Sequence, residues 1–325
     1  LGDVYKRQDY GDLEPFYAEN DRITGVSGLA GDPAYPAKQS LMPPLPMGKS
    51  GQKLAEGFNQ LGWHWWPSDS AIATQPYNGR DQCINLGACI YGCAQGAKAS
   101  TDITYWPEAV RAGVELRTWC RVKEINVGDD GLASGVTYFD EDGVEQFQPA
   151  HVVIMACNGV GTPRILLNSV SKQFPDGLAN SSGLVGKNLM LHPYASIQGV
   201  FEEPLDGYRG PHDSIWSQEF YETGEERDFI RGFTYETTRG RGLVATALTG
   251  VHSGRIPWGA GHHDAYRKLH NRIAGMVAIC EDLPEEHNSV TLDPSIKDAH
   301  GIPAPKMTYS LSLIHISEPT RQEAI

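Results

Sequence analysis

Residues 114–156 carry the pattern that most restricts how this chain can fold. Short β-type runs at 114–117, 120–127, 133–140 and 144–149 are broken by Gly128-Asp129-Asp130-Gly131 and Glu141-Asp142-Gly143. Runs this short, divided by acidic-glycine turns, pair with their neighbours as an antiparallel meander. His151-Val152-Val153-Ile154-Met155-Ala156 comes next and is almost continuously apolar. A run without polar alternation is expected as a strand covered on both faces of a sheet. A Gly/Thr/Pro turn and a helix over 164–170 complete the stretch, which reads as part of an α/β domain containing a β-meander.

The flanking segments have a different texture. Residues 9–80 are rich in Pro, Gly and aromatics, with a short helix expected over 10–20. A second helix is expected over 49–61, with Leu54, Phe58 and Leu61 on one face and Gly62 as its stop. The aromatic mass of Trp63-His64-Trp65-Trp66-Pro67 is expected in a core, with a sugar-stacking platform as the alternative. Ser100 or Thr101 can cap a helix that runs to Arg111 and stops at Gly113. Pro107 then marks either a kink or the true first turn. From about residue 191 charged loops alternate with short β-like runs, at 243–248 and 274–279 among others, as in a second, α+β domain.

Charge narrows the function. The chain has 325 residues with 27 basic against 40 acidic side chains, a net charge of −13. That balance repels phosphate backbones and argues against a nucleic-acid partner. No apolar run reaches the roughly 18 to 20 residues that a membrane helix needs. The two ends are related in an unusual way. Asp3-Val4-Tyr5-Lys6-Arg7-Gln8 can be reverse-translated as GAT GTG TAT AAG AGA CAG, whose reverse complement encodes residues 311–316. Residues 1–8 and 311–325 are therefore expected to be translated sequencing-adapter DNA, with 9–310 an internal piece of a longer protein.

Three local groupings could carry chemistry. Cys83, Cys89 and Cys93 have C-x5-C-x3-C spacing, with Gly87 and Gly92 between them. Three thiolates suffice for an iron–sulfur cluster that lacks one iron. Zinc would need a fourth ligand from His64, Cys120 or Cys157. A disulfide with one free thiol, or three buried cysteines, is the remaining alternative. Gly240-Arg241-Gly242-Leu243-Val244-Ala245 fits a loose G-x-G-x-x-G pattern, but the polar residues 233–239 before it do not resemble a buried first strand. That match is read as chance. His262-His263-Asp264 is expected to be a solvated loop.

In this order along the chain, five motifs resemble the glucose-methanol-choline (GMC) oxidoreductases. They are Gly96-Ala97-Lys98-Ala99-Ser100, Gly113-Val114-Glu115-Leu116-Arg117-Thr118, Val122-Lys123-Glu124-Ile125, Gly161-Thr162-Pro163-Arg164-Ile165-Leu166-Leu167 and Gly186-Lys187-Asn188-Leu189-Met190. Asn288-Ser289-Val290-Thr291-Leu292-Asp293-Pro294 resembles the start of that family's C-terminal segment.

The resemblance implies an FAD-dependent enzyme that moves a hydride from an alcohol group of a sugar, sugar acid or polyol to flavin. It also implies a division into a connecting and cysteine-motif region (9–113), part of an FAD-binding domain (114–190) and a substrate-binding domain (191–310). A backbone group near Val122 would meet the adenine end of the cofactor. Ala156, Asn158, Gly159, Gly161 and Thr162 would lie against it at the turn. Cys157-Asn158 departs from the Ala-Gly common in relatives.

Further expectations come with the family. The dinucleotide fingerprint would lie upstream of Asp9. The catalytic histidine belongs to a motif beyond Asp293-Pro294, so no residue here is assigned as catalytic, and His192 is read as structural at the domain junction. The cysteine spacing resembles the cluster-carrying branch, which implies a 3Fe-4S cluster, a cytochrome partner and a small subunit. The alternatives are a single-subunit oxidase or choline-type dehydrogenase without a cluster, and a redox-inactive binding module.

Overall fold

A computed structural model describes residues 9–38, 42–87, 89–222 and 231–311. Of the two adapter-like segments, 1–8 and 311–325, only Leu311, 40 % exposed, is among the described residues.

Helix α1 (Tyr10–Thr24) starts from a capping box. The Asp9 side chain accepts the Asp12 N–H, and the Asp12 side chain accepts the Asp9 N–H. It runs past the expected end at Asn20 and stops where Gly25 turns left-handed, φ 68°. Helix α2 (Gly48–Leu61) ends as expected at Gly62, φ 68°. Its buried face is Ser50, Gly51, Ala55 and Phe58, whereas Leu61 remains 61 % exposed. Strand β1 (Trp66–Pro67) follows. Helix α3 (Tyr105–Arg111) is shorter than expected, and Pro107 falls in its first turn, where the missing N–H costs nothing.

Three of the four expected runs form the meander, as β2 (Arg121–Val127), β3 (Ala133–Phe139) and β4 (Glu145–Pro149) in the order β2-β3-β4, whereas residues 114–117 form no strand. Nor does the next run. Residues 152–156 pair with no strand among the described residues, and Val152 and Ile154 are 75 % and 86 % exposed. A doubly covered strand needs neighbours on both edges and both faces, and apolar composition cannot supply them. Helix α4 (Asn158–Asn168) begins six residues before the expected 164, so Gly161, Thr162 and Pro163 lie inside the helix rather than in a turn before it.

Strands β5 (Tyr194–Val200), β6 (Ile215–Ser217) and β7 (Phe233–Thr238) come next. The β-like run at 243–248 is instead helical, as α5 (Leu243–His252). His262 and His263 open α6 (His262–Leu269) rather than a loop, and Asp264 pairs with Arg267 at 3.1 Å. The run at 274–279 is strand β8 (Ile273–Cys280) as expected. Strands β9 (Ser289–Lys297) and β10 (Pro303–Thr308) form a hairpin.

The chain divides into two compact units. The first takes residues up to 114 and 194–280, and is built on a five-stranded antiparallel sheet ordered β1-β6-β7-β8-β5. Helix α2 lays Ala55 and Phe58 on Ile215 of β6, with Trp63, Trp65, Tyr235 and Met276 around them. Trp63 stacks on Tyr235 at 5.9 Å and meets Phe220 edge-on at 4.9 Å, so this aromatic mass is core.

The second unit takes 115–193 and residues from 281 onward. Helix α4 ties its two sheets together. Arg164 donates to the Pro303 and Ile302 carbonyls at 2.8 and 3.1 Å and pairs with Asp298 at 2.9 Å. At its other end Asn168 donates to the Lys123 carbonyl at 3.0 Å, and the Ser169 hydroxyl accepts the Ile125 N–H at 2.8 Å. The expected span 191–310 is therefore divided near 281, and the region 9–113 supplies α2 and β1 to the first unit's core. Among the described residues no helix is long and apolar enough to cross a membrane.

Candidate functional site

Each unit carries one candidate. In the second, the residues expected at the cofactor gather at the start of α4. Asn158 takes a left-handed backbone, φ 61°, and its Oδ1 accepts the N–H groups of Val160 and Gly161 at 2.9 and 3.0 Å. Two helix-terminal donors are thus satisfied from within. Thr162 Oγ1 accepts the Cys157 N–H at 3.3 Å. Among the described residues no acceptor meets the N–H of Asn158 or Gly159. Ala156, Asn158 and Gly159 are exposed, while Gly161 and Thr162 are half-buried.

A Cβ at Gly159 would meet nothing within 4 Å, so this glycine leaves open space in front of the helix terminus. Free N–H groups at a helix start, with small side chains around them, suit the electron-rich edge or phosphate of a cofactor. The donor set fits FAD. Val122 is half-buried on β2, next to Lys123, whose carbonyl receives Asn168. The α4 axis, about 15 Å for ten residues, therefore separates Val122 from the turn. An extended dinucleotide, not a compact ligand, would touch both.

In the first unit, Cys83, Cys89 and Cys93 all pack against the buried cluster of Leu45, Ile72 and Ala97. The loop is held by Cys83 N donating to the Ala73 carbonyl at 2.8 Å and Ala73 N donating to the Ala97 carbonyl at 2.9 Å. Lys98 Nζ donates to the Cys89 carbonyl at 2.8 Å. Gly87 has φ 83°, and a Cβ there would lie 2.1 Å from the Tyr208 carbonyl oxygen, so only glycine permits this approach.

All six cysteines are free thiols, so no disulfide forms. Burial, then the neighbouring Cys83 and Cys93, push the Cys89 thiol up. Burial also pushes Cys93 up, but the backbone N–H groups of residues 95–98 outweigh it and leave this thiol below its ordinary value. Among the described residues no three His, Cys, Asp or Glu groups converge on a point that would hold a single metal ion. His64 is engaged elsewhere. Its Nδ1 accepts the Gln218 N–H at 3.3 Å, which leaves the Nε2 proton to donate to Asp32 Oδ1 at 2.8 Å.

The sequence reading missed one lined cavity beside the cysteines. It has a volume of about 330 Å³ and is walled by Cys89, Tyr91, Gln198, His212, Arg239 and Arg241 among others. The only signal for it was the glycine-flanked Arg241 after β7.

Two units, each built on antiparallel sheets with helices packed on them, define a mixed α/β protein. Residues 45–194 match the model for the GMC oxidoreductase family. The chain is 41 % identical over 306 residues, 92 % of its length, to the 2-methyl-1,2-propanediol dehydrogenase of Mycolicibacterium austroafricanum, covering 55 % of that protein. It is 26 % identical to the fructose dehydrogenase large subunit of Gluconobacter japonicus, over 93 % of this chain and 56 % of that one. It is 27 % identical to the gluconate 2-dehydrogenase flavoprotein of Pantoea cypripedii, over 92 % of this chain and 53 % of that one. The chain belongs to the GMC oxidoreductase family and spans about half the length of the curated relatives it matches.

Proposed function

We propose that the protein carrying this chain oxidises an alcohol group of a diol, sugar or sugar acid, with FAD as the hydride acceptor. The observation that carries this reading is the open, glycine-lined start of α4, lying inside the family-matched residues. The names of the relatives support the substrate class, because a diol, a sugar and a sugar acid share an oxidisable carbinol.

The chain's own part is to hold and orient. The free N–H groups of Asn158 and Gly159 would face the cofactor. Ala156, Gly161 and Thr162 would keep the approach close, and the backbone at Val122 would take the adenine end. Bound there, FAD supplies the two-electron acceptor. The base for the hydroxyl proton is assigned to no histidine of this chain.

Gly159 separates cofactor binding from folding. An added methyl meets no atom of the protein, and Gly→Ala within a helix is mildly favourable. In the full-length protein, Gly159→Ala is expected to leave the unfolding midpoint unchanged or slightly raised while flavin per protein falls severalfold. Visible absorption and calorimetry on one sample read both. Full flavin retention in the variant, or a parent without flavin, would remove this reading.

We further propose that Cys83, Cys89 and Cys93 hold a 3Fe-4S cluster that passes electrons toward a cytochrome partner, with a small subunit in the assembly. Support comes from the shared apolar bed of the three thiols and from the cationic Lys98 and Arg239 beside them. Thiolate clusters are anionic and favour such neighbours. Anaerobically purified protein is expected to contain iron and acid-labile sulfide, and Cys89→Ser to lose most of both. Full flavin occupancy without iron would favour the cluster-free oxidase or choline-type dehydrogenase. Neither group present would favour the binding module.

A further inference from the structure

The cavity beside the cysteines has a charge opposite to that of the chain. The protein as a whole carries −13, yet the cavity is lined by Arg239, Arg241 and His212 and by no Asp or Glu. Arg239 is unusually poorly partnered. Its Nε is buried without a hydrogen-bond partner, and its Nη2 reaches only the Pro46 carbonyl, at 3.5 Å. Among the described residues no carboxylate pairs with it. Asp213, Cys83 and Cys89 act on it only through space, and none of them accepts a hydrogen bond from it. A buried Nε–H left without an acceptor is costly, so the site is arranged for an oxyanion that arrives from outside.

The surroundings make room for that guanidinium. A Cβ at Gly210, φ 80°, would lie 2.1 Å from Arg239 Nη1, so glycine is required there. Arg241 is pre-oriented at the rim by Thr249 Oγ1, 3.0 Å from its Nη1. His212 is bonded through Nδ1 to Asp213 at 3.0 Å, and that bond is the main reason its pKa is raised. Gln198 and Ser196 add neutral polar groups to the lining. Helix α5 starts after Gly242 with no side-chain cap, so its first-turn N–H groups add positive potential to the same side.

We propose that this cavity binds a small organic ligand through an oxyanion, a carboxylate or a phosphate, gripped by Arg239 and Arg241. The volume of about 330 Å³ suits a sugar-sized molecule. The site goes beyond the flavin reading and does not rest on it, since every lining residue belongs to the first unit. It also gives the Gly240–Ala245 stretch a physical role. A strand (β7) and a helix (α5) do flank it, but β7 pairs antiparallel with both neighbours, so this is no dinucleotide-binding βαβ unit. Gly240 instead lets the segment between the two arginines run close to the sheet, since a Cβ there would lie 2.8 Å from the Ile273 carbonyl oxygen.

The test is isothermal titration of the full chain at constant ionic strength, with inorganic phosphate in one arm, D-gluconate in a second and chloride as the control. Saturable binding is expected in at least one of the first two arms, and which arm responds identifies the anion. Arg239→Gln should weaken it at least about tenfold, as removal of a charge-assisted bond does, and Arg239→Lys should restore part. Arg241→Gln, at the exposed rim, should weaken it severalfold with the unfolding midpoint unchanged, which keeps the test decisive if the Arg239 variants fold poorly. Heats that do not saturate, or equal affinity in wild type and both Gln variants, would overturn the proposal. So would an Arg239→Gln protein that binds normally but alkylates faster or slower at Cys89, for Arg239 would then be only the thiols' counter-charge.

Discussion

Replacing Gly186 by Ala is expected to destabilise the second unit by about 3 kcal/mol, one of the two largest single-site effects expected in this chain. Two independent costs meet at this position. Its φ of +80° lies where a Cβ costs about 1–2 kcal/mol. The added carbon would also sit 2.1 Å from the Val290 carbonyl oxygen. That carbonyl cannot move away freely, because the Val290 N–H donates to the Gly186 carbonyl at 2.7 Å and Val290 is 1 % exposed. The same loop continues into Leu189 N donating to the Asn288 carbonyl at 2.8 Å, so a shift here would reach both ends of the contact. Gly183→Ala is the control. Its φ is +70°, but a Cβ there would meet nothing within 4 Å, so only the conformational cost of about 1 kcal/mol applies. Urea titration of the two variants, with hydrogen exchange on β9, should separate them by about 2 kcal/mol. Equal destabilisation would mean that the Gly186–Val290 approach does not exist.

Phe58→Ala is expected to cost the first unit about 3–5 kcal/mol. Phe58 is 2 % exposed and lies between α2 and the sheet, with Ile215 fully buried beneath it and Trp63 stacked 6.2 Å away. Its removal leaves a ring-sized void lined by β-sheet residues that are fixed by their own ladder and cannot collapse into it. Leu61→Ala, three residues on, should change stability by less than about 0.5 kcal/mol, because that side chain is 61 % exposed. Hydrogen exchange of β7 and β8 measures both. A large loss at Leu61, or a small one at Phe58, would place the wrong face of α2 on the sheet.

The contrast between Phe58 and Leu61 shows how far a sequence pattern reaches. Leu54, Phe58 and Leu61 share a helical stripe, and the stripe located the helix and its stop at Gly62 correctly. It could not say where the sheet ends. Ala55 and Ser50 are buried while Leu61 is not, because Ile215, far along the chain, decides which part of the face is covered. The 151–156 and 243–248 runs show the same limit with larger consequences. Apolar β-type composition was common to both, yet one pairs with no described strand and the other is a helix. Short apolar runs do not distinguish these states without their neighbours.

What the sequence by itself determined is what hydrogen bonds within a few residues determine. Gly131 N returns to the Gly128 carbonyl at 3.0 Å and Gly143 N to the Asp140 carbonyl at 3.0 Å, while Asp140 Oδ1 holds the N–H groups of Asp142 and Val144. The meander followed from those two turns, and the helix ends at Gly25 and Gly62 followed from a residue that turns left-handed at low cost. The collinear motifs identified the family.

Only the tertiary structure decided the rest. It returned residues 281–310 to the unit of α4, through Arg164 reaching Asp298 and the Pro303 carbonyl. It also brought His212, Arg239 and Arg241 around Cys89 in one acid-free cavity. Those groups lie more than a hundred residues from Cys89. Their charges can sum only after the sheet has set them a few Å apart, where a low dielectric lets them act together.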